Sequence, residues 1–295
     1  MSIASLRVVP QRPSEAWHGT MLVLLSAFAF SLAGFFVRLI DTDVWTMLFW
    51  RGLFGGLFIA GWVLCRDGGQ ALTTLRRVGP LGLVAAVCSA VATICFINAL
   101  RETTVADVLA INATAPFVAA ALAWAWTGER ERTGTFIASS VALLGVIATV
   151  VDAVDSGRLL GNLLAIAMTV LISAMMVVVR RQRAVCMLPA AALSAFLCAL
   201  LAWPWAEPMS VAGEEFGYLI LFGSLQFGLG LLLLTLGTRL ISAARSALVG
   251  TLETLLAPAI VWLAFGEVPS LMTCIGGLII LGAVVADLAF TKERP

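Results

Sequence analysis

Three polar side chains lie deep inside long apolar stretches of this sequence: Glu253, Gln226 and Asn112. A carboxylate can accept hydrogen bonds from an ammonium group or carry a proton, and a carboxamide can both donate and accept. Such groups are costly in a bilayer and usually face a bundle interior or a water-filled cavity. The pattern predicts a buried site for a small polar molecule. The alternative for Glu253 is a hydrogen-bonded role in packing.

The composition indicates that these polar side chains belong to a protein surrounded by lipid rather than by water. Of the 295 residues, 61% are hydrophobic and 12% are charged, whereas a soluble domain is about half apolar and about a quarter charged. The net charge of +1 provides no basic surface for nucleic acid. We therefore expect an all-α polytopic membrane protein that contacts membrane lipid and binds no nucleic acid.

The apolar stretches are long enough to cross a membrane. A transmembrane helix needs about 20 apolar residues, and the sequence offers ten such stretches. The first is too long for the apolar region of a signal peptide, so we expect it to remain as the first helix. The predicted spans are 17–40, 44–64, 78–100, 104–127, 133–152, 158–180, 187–205, 216–237, 244–265 and 269–290.

The basic residues indicate how the chain is oriented. With ten spans both chain ends lie on one side, and all but four of the 18 Lys and Arg residues fall on that side. The exceptions are Arg38, Arg51, Arg101 and Arg158. Short cytoplasmic loops carry an excess of Lys and Arg. We therefore predict a multi-pass protein of a bacterial cytoplasmic membrane with both termini in the cytoplasm.

The second half of the chain repeats the first. Residues 99–129 align with residues 237–267 without a gap. We predict two five-helix repeats, at 1–155 and 156–295. Because five is odd, the two repeats have opposite orientations, an architecture found in many secondary transporters. The informative identities pair Arg101 with Arg239, Trp124 with Trp262, and Gly128-Glu129 with Gly266-Glu267.

One proline lies in the fourth helix of each repeat. Proline has no N–H, so Pro116 leaves the carbonyl of Asn112 without its helix partner, and Pro258 does the same to Thr254. Loosened turns near the middle of a bilayer are tolerated only against protein or water and indicate a binding site. The alternative is a kink that only shapes helix packing.

The whole chain resembles the EamA type of the drug/metabolite transporter superfamily. Arg51 early in the second helix fits this resemblance, whereas Glu253-Thr254 stands where members commonly carry Glu-Pro. The resemblance implies export of amino acids or other small metabolites, with the YddG-like amino-acid exporters as the subgroup. Its motifs are Ala113-Thr114-Ala115-Pro116-Phe117 with Gly128-Glu129, and Leu252-Glu253-Thr254-Leu255 with Gly266-Glu267.

The predicted function is a secondary transporter that exports amino acids, including aromatic or other neutral ones, by alternating access around a midplane site. The alternative is export of drugs or other small metabolites, coupled to protons through Glu253. An intramembrane enzyme is disfavoured, since one histidine, His18, cannot make H-E-x-x-H, and G-x-S-x-G is absent. We expect no cofactor and no metal site. A monomer is compatible with the sequence, which leaves the oligomeric state open.

The predicted site combines the polar trio with residues on the same helix faces. Trp50 and Phe117 are candidates for its apolar walls. Arg245, two turns before Glu253, would cancel a proton-carrying role if the two side chains paired, and Asp287 is expected at the membrane interface. The predicted substrate-binding residues are Glu253, Gln226, Asn112, Thr93, Phe96, Ser89, Asn98 and Phe227.

Overall fold

The computed structural model of the chain describes residues 13–68, 71–102, 108, 111–128, 133–150, 159–182, 184–211, 213–266 and 271–292. These ranges contain ten helices, α1 to α10, and no strand. The predicted all-α, ten-helix architecture is confirmed.

The first five helices contain two interruptions and one sharp kink. α1 breaks at Leu32, and α4 breaks at Ala113-Thr114. α3 kinks at Gly79, whose φ of 61° is a conformation that glycine adopts without strain. The bounds are α1 Pro13–Ser31 continued by Ala33–Leu39, α2 Val44–Asp67, α3 Ala71–Glu102, α4 Ala115–Thr127 after its break, and α5 Thr133–Val150.

The second five helices show corresponding irregularities. α8 widens into a π-helix over Phe222–Leu229, and α9 breaks at Thr251-Leu252. The bounds are α6 Leu159–Arg181, α7 Leu188–Ala202, α8 Gly213–Leu240, α9 Ala243–Gly250 continued by Glu253–Phe265, and α10 Leu271–Lys292.

The helices have the length and surface expected of membrane spans. Within the described residues, seven are long and apolar enough to cross a bilayer, and α4, α5 and α10 contain shorter apolar stretches. Large apolar side chains such as Leu263 and Leu278 face outward. Trp17, Trp62 and Trp262 are exposed close to helix ends, which matches the interfacial placement of tryptophan in membranes.

The helices of one half pack on the helices of the other, and the pattern of contacts is the same when the two halves are exchanged. α1 packs on α8 and α3 packs on α6, while α2, α4 and α5 pack on their counterparts α7, α9 and α10. This is the pattern of two related five-helix units. The predicted boundary between residues 155 and 156 lies outside the described residues and stays a prediction. Buried residues between the units include Ala119, Ala142, Val178, Leu248 and Ile280.

The fourth helices of the two halves, α4 and α9, match in the length, position and ending of the segment that follows their break. Ala115–Thr127 and Glu253–Phe265 are both 13 residues long, and their starts and ends differ by the offset that aligns the two sequences. Each ends at a left-handed glycine, Gly128 with φ 69° and Gly266 with φ 73°. The internal repeat is therefore visible in backbone geometry as well as in sequence.

Candidate functional site: a cavity between the two repeats

A cavity lies between the two sets of helices. It offers about 160 Å³ to the centre of a water molecule, which corresponds to room for on the order of ten waters. Side chains from α1, α2, α3 and α4 line one part, and side chains from α6, α8 and α9 line the rest. The space suits a small metabolite, and both halves of the chain contact it.

Most of the predicted site residues meet at this cavity. Asn98 does not line it, because its Nδ2 donates to the carbonyl of Ile94 at 2.8 Å, one turn back on α3. Whether the others bind substrate stays a prediction. The predicted residues that line the cavity are Glu253, Gln226, Asn112, Thr93, Phe96, Ser89 and Phe227.

The two aromatic residues predicted as walls lie elsewhere. The ring of Trp50 stacks on Phe54, with centroids 5.3 Å apart. Phe117 meets the ring of Phe136 edge-on at 5.3 Å. Neither lines the cavity, because each finds an aromatic partner on its own or a neighbouring helix. The aromatic walls come from α1, α3 and α8 instead, and they are Phe30, Phe96 and Phe227.

Glu253 owes its position to the break in α9. The Thr251 N–H bonds back to Ala247 and Leu248, and the Thr254 N–H bonds to Thr251, so the turn between them is irregular. Glu253 then starts the second helical segment, where the positive end of the helix dipole favours a carboxylate. The side chain is partly buried and borders the cavity.

Both fourth helices contain a broken turn, as predicted, but neither break lies at the proline itself. In α9 the break precedes Glu253, whereas Pro258 lies inside the continuous second segment. There Pro258 leaves the carbonyl of Thr254 without its helix donor, one turn after the break. In α4, Pro116 lies in the first turn after the break, where a missing N–H costs little. Both breaks border the cavity through neighbouring residues.

The suggested pairing of Arg245 with Glu253 is wrong. The Nε of Arg245 lies 2.8 Å from Oδ2 of Asp287. Asp287 also accepts a hydrogen bond from Oγ1 of Thr135 at 2.7 Å. Only 3% of Asp287 is exposed, so this residue is buried within the bundle, and its expected position near the membrane interface stays a prediction. The carboxylate of Glu253 makes no ion pair or hydrogen bond to the described part of the chain, and its interaction with the charge of Arg51 acts at longer range.

The sequence prediction missed Arg51 as a site residue and counted it among the four basic residues on the external side of the membrane. Arg51 is only 5% exposed and borders the cavity. Its Nε donates to Oε1 of Gln226 at 3.1 Å. The signal was its position seven residues beyond Val44, about 10 Å along the helix at 1.5 Å per residue, which is too deep for an interfacial charge.

Gln226 connects three helices at the cavity wall. It accepts from Arg51 on α2, and its Nε2 donates to the carbonyl of Phe30 on α1 at 3.2 Å. It lies in the π-helical part of α8, and such widened turns often occur at functional sites. The amide therefore holds neighbouring helices together and still retains one N–H and one lone pair for another partner.

Glycines allow α2 and α8 to approach closely enough for this contact. A Cβ on Gly55 would come within 2.7 Å of Cδ1 of Phe227, and one on Gly223 would come within 2.6 Å of Cβ of Phe54. On another face of α2, a Cβ on Gly52 would come within 2.7 Å of the Ala195 carbonyl oxygen on α7. Small residues of this kind permit close helix packing in membranes.

The fold and the cavity define a polytopic membrane transporter built from two repeats. The family model described as "EamA-like transporter family" matches residues 17–151 and again 159–286. The chain therefore belongs to the EamA-like transporter family, within the superfamily that the sequence resembled.

Comparison with solved structures supports the fold. A structure titled "Crystal structure of protein" superposes with a TM-score of 0.77 at 18% sequence identity, and the match covers 95% of this chain and 99% of the other. At this identity the similarity concerns the fold alone. No curated protein sequence matches the chain.

Proposed function

We propose that this transporter exports amino acids, including aromatic and other neutral ones, across a bacterial cytoplasmic membrane by alternating access around the central cavity. The observation that carries the proposal is the placement of Glu253, a carboxylate without a protein partner in the described chain, at a broken turn that borders a cavity between the two repeats. Sites at the interface between repeats, built on interrupted helices, are typical of secondary transporters.

The cavity lining provides the groups that a zwitterion needs. Glu253 accepts from an ammonium group, and the amides of Asn112 and Gln226 donate or accept. Thr93 adds a hydroxyl, although its proton is given to the Ser89 carbonyl at 3.0 Å. Apolar side chains of α6 and α8 supply the surface for a neutral side chain, and they include Met168, Ile172, Leu231 and Leu234.

A second candidate is export of drugs or other small metabolites, coupled to protons through Glu253. It is supported by the same unpartnered carboxylate, since a carboxyl group open to a wet cavity can load and release a proton. The subgroup resemblance to YddG-like exporters supports the amino-acid proposal. For the cytoplasmic position of both termini, the support is the distribution of Lys and Arg.

The test is counterflow of the twenty amino acids into vesicles that contain the purified protein. We expect several neutral amino acids to exchange. Replacing Glu253 with Gln should weaken this exchange, whereas Glu214→Gln, an exposed position at the start of α8, serves as the matched control and should not. If no amino acid exchanges but cationic drugs or sugars do, the second candidate replaces the first.

A further inference from the structure

Arg51 is held rigidly at the cavity wall by contacts that do not neutralise it. Its Cζ lies 4.1 Å from the ring centroid of Phe227 and 5.1 Å from that of Phe222, within the range of favourable cation–π contact. Its Nε is bonded to the neutral amide of Gln226. These contacts fix the plane of the guanidinium while its charge remains.

One terminal nitrogen of this guanidinium lacks an acceptor in the described part of the chain. That nitrogen is Nη1, and it is buried. Glu253 borders the same cavity, but the two side chains form no ion pair. A buried cation without a counter-charge in contact is costly, and a guanidinium presents donors in a fork that matches a carboxylate. Among the described residues no carboxylate lies within ion-pair distance of Arg51, and Glu253 interacts with it only at longer range.

We propose that Arg51 binds the carboxylate of the transported molecule, while Glu253 across the cavity receives its ammonium group. This inference rests on the proposed amino-acid export and deepens it. Among the described residues that line the cavity, only Arg51 and Glu253 ionise, so a zwitterion adds one charge of the required sign to each. An amine that lacks a carboxylate brings no anionic partner for the guanidinium of Arg51.

The substrate class is therefore a small zwitterion with an uncharged side chain. Leucine fits this description, and two analogues separate its charges: 3-methylbutylamine lacks the carboxylate, and 4-methylpentanoate lacks the amine. We expect leucine to compete best for counterflow and the carboxylate analogue to compete measurably. The amine alone should compete poorly.

Variants of Arg51 test its role in transport. Arg51→Gln should weaken leucine binding by about ten- to a hundredfold, the range for hydrogen bonds to a charged group, and Arg51→Lys should retain part of it. Arg66→Gln is the matched control, because Arg66 is an exposed arginine on the same helix. Thermal melting of each variant shows whether it is folded. Unchanged leucine counterflow by folded Arg51→Gln vesicles would overturn the inference.

A second readout does not depend on transport. Phenylglyoxal modifies arginine side chains, and mass spectrometry of peptides locates the modification. We expect 4-methylpentanoate, but not 3-methylbutylamine, to protect Arg51, whereas Arg66 should react equally throughout. Equal reaction of Arg51 with and without the carboxylate, including none, overturns the inference, since a site closed to this reagent is also closed to an amino acid. If the wild type transports no amino acid but 4-methylpentanoate protects Arg51, the proposal of amino-acid export is wrong, whereas the proposed carboxylate site at Arg51 is supported.

Discussion

Asp287 on α10 lies 2.8 Å from Arg245 on α9, measured between Oδ2 and Nε, and both residues are buried. Thr135 on α5 donates to the other carboxylate oxygen at 2.7 Å. Three helices from both halves of the chain thus meet at one polar cluster. Since no described side chain of α5 or α10 lines the cavity, the cluster stabilises the bundle rather than the site.

Breaking this ion pair should strongly destabilise the protein. Asp287→Ala leaves a buried guanidinium without its partner, and we expect the free energy of unfolding to fall by about 3–5 kcal/mol. Replacing both residues, as Arg245→Met with Asp287→Leu, should recover most of the loss because no charge remains buried. Unfolding in nanodiscs by heat or denaturant measures the effect.

A matched control lies on α2. Arg66 and Asp67 approach to 2.9 Å, and 45% of the Arg66 side chain is exposed. Arg66→Ala, which removes the exposed partner, should change the free energy of unfolding by less than about 1 kcal/mol. Equal losses for Arg66→Ala and Asp287→Ala would show that burial of the Arg245 pair does not add to its contribution to stability.

Gly223 should be sensitive to the addition of a single methyl group. Its Cβ would come within 2.6 Å of Cβ of Phe54 and 3.0 Å of the Arg51 carbonyl oxygen. Gly223→Ala must therefore push α8 away from α2, with a cost of about 1–3 kcal/mol for overpacking. Because the Arg51–Gln226 bond crosses this interface, transport should fall as well.

Gly217 on the same helix is the control for this change. A Cβ there would meet open space, and alanine favours a helix over glycine by about 1 kcal/mol. Gly217→Ala should be neutral or stabilising and should leave counterflow unchanged. A Gly223→Ala protein with wild-type melting temperature and flux would contradict the close packing of α2 on α8.

The number and bounds of the helices could be predicted from the lengths of the apolar stretches. The two repeats could be predicted from the similarity between the two halves of the sequence. Bounds agree closely for α2, α7 and α9, because a bilayer imposes span lengths that apolar composition reports directly. The breaks were harder to locate. Proline marks a missing donor, but backbone hydrogen bonding around Thr251 placed the α9 break one turn before the position that Pro258 indicated.

The site was predictable where polar residues interrupt apolar helices, as at Glu253 and Gln226. Arg51 was not recognised, because counting charges by loop treats every residue near a span end as interfacial. Its partner belongs to another half of the chain, and sequence spacing within one helix does not reveal such a contact. The same reason explains Asp287, whose partner Arg245 lies on a neighbouring helix.

The two left-handed glycines offer a test of the structural repeat. Gly128 and Gly266 end equivalent segments with φ near 70°, and no described atom lies within 4 Å of an added Cβ at either position. Alanine should therefore cost only the left-handed conformation, about 1–2 kcal/mol in each case. Gly134→Ala, at an open position with ordinary φ, should cost less. Melting temperatures of the three variants measure this, and unequal losses at the two equivalent glycines would argue against equivalent turns.

Glu253 should make transport sensitive to pH. Within the described lining of the cavity the carboxylate is one of two ionisable groups, and the other, Arg51, keeps its charge near neutral pH. Protonation of Glu253 removes the negative charge that attracts a substrate ammonium, although the carboxyl group keeps an acceptor oxygen, so wild-type counterflow should weaken as the pH falls. Glu253→Gln carries no titrating group, so its weaker counterflow should vary little between acidic and neutral pH.

The comparison that decides this is the ratio of wild-type to variant counterflow across the pH range, with Glu214→Gln measured alongside. Glu214 is exposed at the start of α8, so its replacement should leave the wild-type profile intact and thereby exclude a general effect of losing a carboxylate. If wild-type counterflow is insensitive to pH, Glu253 neither carries a proton nor titrates against the substrate. It would then serve as a fixed acceptor, and proton-coupled export would lose its support.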